Sequence, residues 1–92
     1  MYPIAPKHSF TFGGSVVNVY HASQGQGLLR HTHNYNHATV CHSGSCVVRV
    51  EGKELIMDKN TKPVNLVGSE WHEIEALEPN TVFVNIFAED KY

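Results

Sequence analysis

Long apolar runs, clusters of basic residues and a useful number of cysteines are all missing from this chain. No stretch approaches the ~20 apolar residues that a membrane-spanning helix needs. The opening Met1-Tyr2-Pro3-Ile4-Ala5-Pro6 contains no apolar run of the kind a secretory leader requires. Two cysteines in 92 residues cannot make the disulfide framework of a small secreted domain, so the expected location is cytoplasmic. Seven Lys and Arg, scattered along the chain, stand against nine Asp and Glu for a net charge of −2, which leaves no basic footprint for nucleic acid. Helical periodicity is lacking as well: no stretch of ten or more residues repeats its apolar positions every three or four. One domain over residues 1–92 is expected, with 1–7 as an extended arm stiffened by two prolines. So short a chain buries a modest share of its surface, and here metal or a second subunit, rather than disulfides, is the expected supplement.

What the chain does have is short alternating segments with turn signals between them. His8 to Phe12, Ser15 to His21, His37 to His42, Glu54 to Met57, Pro63 to Val67, Trp71 to Leu77 and Thr81 to Ala88 all read as strands. Regularly spaced short strands indicate an all-β sandwich or barrel. If Ser43-Gly44 is a two-residue hairpin loop, Cys41 opposes Cys46 and Val40 opposes Val47. That register puts His37, Thr39, Cys41, Cys46, Val48 and Val50 inside, with Arg49 and Glu51 outside. Two free, core-packed thiols are expected at Cys41 and Cys46. Glu73 and Glu75 read as a solvated outer face, and His8, His21 and His42 as surface or interface residues.

The densest chemistry lies in Arg30-His31-Thr32-His33-Asn34-Tyr35-Asn36-His37. On a strand His31 and His33 face the same way, about 6.6 Å apart. Bonds of roughly 2.1 Å from each imidazole would let one metal ion bridge them. His37 shares their parity and can return to the ion if the chain bends through Asn34-Tyr35-Asn36. A helix fits badly, because residues i and i+2 lie about 200° apart around its axis. His72 is the fourth candidate ligand, on the inward parity of a strand remote in sequence. Tyr35, Thr39, Tyr20 and Asn85 are candidate pocket residues. A buried amide such as Asn85 must find partners, and metal-bound histidines need acceptors for their second N–H.

These residues resemble the cupin superfamily. Its first motif, G-x5-H-x-H-x3,4-E-x6-G, is matched in spacing by Gly25, His31, His33, His37 and Gly44, with histidine in place of the glutamate. The second, G-x5-P-x-G-x2-H-x3-N, is matched more loosely. Asn60 stands at the first glycine and Leu66 at the proline. Gly68 and His72 are one residue too far apart, and Ala76 stands at the asparagine. The resemblance spans roughly residues 8 to 88. It implies a double-stranded β-helix, or jelly roll, holding one divalent transition metal on His31, His33, His37 and His72.

Without the glutamate the ion's charge is uncompensated, which favours an anionic small-molecule ligand. Imidazole donors suit Fe, Zn and Ni and argue against Mg or Ca. Iron is the first choice, with Zn, Ni or Mn as alternatives. Among cupins, sites without glutamate occur in non-haem iron dioxygenases and in zinc-dependent cyclases or isomerases. The resemblance thus implies metal chemistry on a small molecule without choosing the reaction; a dioxygenase-like enzyme is the first reading, with a cyclase or isomerase, or a non-catalytic binding module, as the alternatives. A metal-free sugar isomerase-like cupin fits the histidine cluster poorly. A homodimer is expected, built on the arm from Pro3 to Phe12 and on apolar outer faces near Val17, Val19 and Phe83.

Overall fold

The structure is a computed structural model that describes residues 2–32, 36–68 and 70–88. The expected ligand His33 and the pocket residue Tyr35 lie outside the described residues. Ten strands form two five-stranded sheets, and no helix occurs among the described residues. In chain order the strands are β1 (Tyr2–Pro3), β2 (His8–Phe12), β3 (Ser15–Ala22), β4 (Gln26–His31), β5 (His37–Ser43), β6 (Ser45–Val50), β7 (Lys53–Asp58), β8 (Val64–Leu66), β9 (His72–Ala76) and β10 (Thr81–Ala88). One sheet has the order β1-β4-β9-β6-β7 and the other β2-β3-β10-β5-β8. Every pairing is antiparallel except β1 with β4, where Tyr2 and Pro3 run alongside Gln26 and Gly27. Part of the expected N-terminal arm is thus held on a sheet edge.

Alternation decides which side chains fill the space between the sheets. In β9 His72, Ile74 and Ala76 are buried while Glu73 and Glu75 are not, as a period of two requires. β3 buries Val16, Asn18, Tyr20 and Ala22, and β10 buries Thr81, Phe83, Asn85 and Phe87. Phe83 is fully buried and stacks on Tyr20 with ring centroids 4.8 Å apart. This corrects its expected place on the outer face, which belongs instead to Val82, Val84 and Ile86. Glu73 and Glu75 do lie on the outer face, but both reach Arg49, whose guanidinium is 3.9 Å from Glu73 and 2.9 Å from Glu75.

The expected Ser43-Gly44 hairpin does not form. β5 pairs with β10 and β8, whereas β6 pairs with β7 and β9 in the other sheet. Gly44, at φ +71, is where the chain crosses between sheets. The inward set survives this correction, because parity along each strand does not depend on the partner. His37, Thr39, Cys41, Cys46 and Val48 are all buried, and both cysteines are free thiols.

Candidate metal centre

Three of the four expected histidine ligands are described, and the two sheets bring them together at one end of the barrel. His31 ends β4 and lies directly across from His72, which begins β9. Their rings meet edge to face with centroids 4.4 Å apart. His37 begins β5 in the facing sheet, and its ring centroid is 5.1 Å from that of His72. Nε2 of His37 and Nε2 of His72 are 3.3 Å apart. His37 and His72 are buried, while His31 is half-buried.

The second nitrogen of each ring has an acceptor. His31 Nδ1 is 2.6 Å from the carbonyl oxygen of Leu29, and His72 Nδ1 is 3.3 Å from that of Glu70. A carbonyl can only accept, so each Nδ1 carries the proton and donates it. Thr39 donates its hydroxyl proton to Asn85 Oδ1 at 2.7 Å. Its oxygen therefore accepts from His37 Nδ1, 3.4 Å away. All three rings are thereby held in the tautomer that keeps the lone pair on Nε2.

A metal ion sets its own requirement on such a donor geometry. Two imidazole nitrogens bonded at about 2.1 Å to one ion are separated by about 3.0 Å at octahedral and about 3.4 Å at tetrahedral angles. The 3.3 Å between His37 and His72 falls in that interval. Two lone pairs facing each other at that distance repel unless a proton or a cation lies between them. The residues fit a metal. Among the described residues, however, no three His, Cys, Asp or Glu side chains gather into a complete ligand set. What is described is a close pair, His37 and His72, with His31 packed against it.

A cavity of about 290 Å³ opens beside the pair and is lined by His31, His37, Asn18, Tyr20 and Asn85, with Ile4, Leu28 and Phe87 among its apolar walls. Its volume is at the lower end of the ~300–1,000 Å³ usual for small-molecule sites. The pocket residues Tyr20 and Asn85 therefore border it. Thr39 is fully buried behind Asn85 and reaches the site through hydrogen bonds. Asn18 was missed in the sequence. Its signal was the same as that of Asn85, a lone amide in an otherwise apolar strand (Val16-Val17-Asn18-Val19-Tyr20).

No family model matches the chain, and no curated protein matches it. Solved structures do. A cupin 2 domain-containing protein from Halorhodospira halophila superposes with a TM-score of 0.81 at 15% identity, over 96% of this chain and 66% of that one. KdgF from Halomonas sp. gives 0.74 at 17% identity, over 84% of this chain and 71% of that one. A conserved protein with a double-stranded β-helix domain from Klebsiella pneumoniae gives 0.74 at 23% identity, over 95% and 72% respectively. Likeness at such identities speaks to architecture, and the motif spacing read from Gly25 to Gly44 agrees with it. The fold of this chain is thus similar to that of cupin and double-stranded β-helix structures.

Proposed function

We propose that the protein is a metal-dependent cupin acting on a small anionic molecule, with the ion on His31, His33, His37 and His72. The observation that carries this reading is the pair of Nε2 atoms 3.3 Å apart on His37 and His72, each ring tied by Nδ1 to an acceptor. A site of neutral imidazoles selects a borderline transition metal, with Fe(II) the first choice and Zn, Ni or Mn the alternatives. When bound, such an ion supplies Lewis acidity to a ligand oxygen and, if it is iron, a redox centre. The protein's own part is to orient the imidazoles through Leu29, Thr39 and Glu70, and to wall the cavity with Ile4, Leu28 and Phe87. The cavity lining includes no Lys, Arg, Asp or Glu among the described residues. An anion entering it is therefore compensated by the ion and by neutral hydrogen-bond donors.

The test is the metal content of protein purified without nickel affinity chromatography, for wild type and single His→Ala variants. His72→Ala and His31→Ala should each lose most of the metal, and His33→Ala is expected to do the same. Full retention in both His31→Ala and His72→Ala would end the proposal. Retention in His37→Ala alone would reduce it to a three-histidine site. Oxygen uptake then separates the reactions. Uptake by Fe(II)-loaded but not Zn-loaded protein marks a dioxygenase, whereas equal turnover with both metals marks a Lewis-acid cyclase or isomerase. Ligand binding without turnover marks a binding module.

A further inference from the structure

A row of polar side chains crosses the inner face of one sheet. Ser9 of β2 pairs with Asn18 of β3, Asn18 pairs with Asn85 of β10, and Asn85 pairs with Thr39 of β5. Asn18 and Asn85 are 4% and 6% exposed. Ser9 donates to Asn18 Oδ1 at 2.6 Å, and Thr39 donates to Asn85 Oδ1 at 2.7 Å. The strand order is β2-β3-β10-β5, so these two hydroxyls lie on opposite outer sides of the asparagine pair. Each carboxamide is planar, with its nitrogen on the side away from its oxygen. Each oxygen is thus engaged by a hydroxyl, which leaves Nδ2 as the remaining polar group of each side chain. Neither nitrogen has a protein acceptor among the described residues. No sealed side-chain nitrogen or oxygen among those residues lacks a partner, so both amino groups are accessible, and both residues line the same cavity.

Two N–H₂ groups beside one cavity each call for an acceptor there, water or a ligand oxygen. We propose that Asn18 and Asn85 form a two-donor clamp for the carboxylate of the protein's small-molecule ligand. The ligand class is a compact carboxylic acid, small enough for the cavity of about 290 Å³, with a second oxygen directed toward His31 and His37. Two adjacent amide donors match the two coplanar oxygens of a carboxylate. A phosphate or sulfate would call for cationic side chains, and the described lining includes none. The direction of the second oxygen rests on the metal reading proposed above, whereas the clamp itself rests only on the two amides.

The experiment is a titration of the side-chain amide resonances with acetate, pyruvate and malonate at millimolar concentration. It is run on metal-free and Zn-loaded wild-type protein and on Asn18→Asp and Asn85→Asp. Each substitution keeps an oxygen for the Ser9 or Thr39 hydroxyl and replaces one donor by an acceptor. In the wild type, two asparagine N–H₂ pairs should shift together with one or more of the acids, and the matching amide should shift them far less. Each variant should weaken that binding about 10- to 100-fold, as expected for losing a charge-assisted hydrogen bond. Equal affinity for acid and amide, or unchanged affinity in both variants, would overturn the clamp. So would the absence of any amide shift with all three acids, which would mean that the pair holds only water. Loss of metal binding in the wild type would sink the metal reading alone, because the metal-free titration still reports on the clamp.

Discussion

At the scale of single residues, Thr39 shows how one side chain can set another's chemistry. It is fully buried, and its single proton goes to Asn85, so its oxygen is left to receive the proton of His37. Thr39→Val keeps the β-branched shape and removes both bonds. The loss should cost about 1–3 kcal/mol of stability and lower metal affinity roughly 10- to 100-fold. Urea unfolding and competitive chelator titration would measure the two effects. Cys46 carries a separate prediction. Burial, followed by the neighbouring Cys41, pushes its thiol up from 9.0 to about 12. The uncharged thiol is thus favoured in the fold. Its contribution is complete below the unfolded pKa and is lost as pH rises from about 9 toward 12. Cys41 is raised too, mainly by burial, so it acts with the same sign. Stability should fall as pH rises above about 9, by up to about 1.4 kcal/mol per pH unit for each thiol that ionises only on unfolding. Cys46→Ala should flatten that slope. Native protein at neutral pH should resist iodoacetamide at both thiols.

At the scale of elements, the crossing at Gly44 matters most. Its φ of +71 lies in the left-handed region, and a Cβ built there would sit 2.5 Å from Thr81 Oγ1 and 2.9 Å from Thr81 Cα. Gly44→Ala therefore meets both backbone strain and a clash with main chain. A loss of about 2–4 kcal/mol is expected from the two together, read as a drop in the urea midpoint. The same residue explains why the hairpin expectation failed. A Ser-Gly pair between two β-formers is a strong local turn signal, but it does not say whether the second strand turns back or crosses over. The parity of β5 and β6 was legible because alternation needs only the strand itself. In β10 parity was not legible. Val82-Phe83-Val84-Asn85-Ile86-Phe87 is apolar on both faces, so nothing local marks Phe83 as inward, and β3 hides Asn18 in the same way.

At the scale of the molecule, the two outer faces differ. One carries Arg49 with Glu54, Glu73 and Glu75, an ion-paired and solvated surface. The other presents Val17 and Val19 from β3, Val84 and Ile86 from β10, and Phe10 and Phe12 from the edge strand β2. Phe10 and Phe12 are 51% and 79% exposed, and every residue of β2 is exposed. Such an edge needs a cover. A second copy fits best, because antiparallel pairing of β2 with its symmetry mate satisfies both open edges at once. The expected mass in solution by light scattering is that of a homodimer, and Phe10→Lys with Phe12→Lys should give a monomer. A wild-type monomer at micromolar concentration would contradict this assembly. No helix among the described residues is long and apolar enough to cross a membrane.

Local pattern alone accounts for most of the strand content, the inward parity of His37, Thr39, Cys41, Cys46, His72, Ile74 and Ala76, and the spacing from Gly25 to Gly44 that resembles cupins. These follow from a period of two and from turn chemistry, which act between neighbours along the chain. It takes the packed sheets to bring His37 against His72, at a distance that suits two ligands of one ion. The same packing sets Asn18 beside Asn85 and parts β5 from β6 at Gly44. Those contacts join residues up to 67 positions apart, as between Asn18 and Asn85 (85 minus 18). Which strands pair depends on the closure of the whole barrel, and no local pattern encodes it.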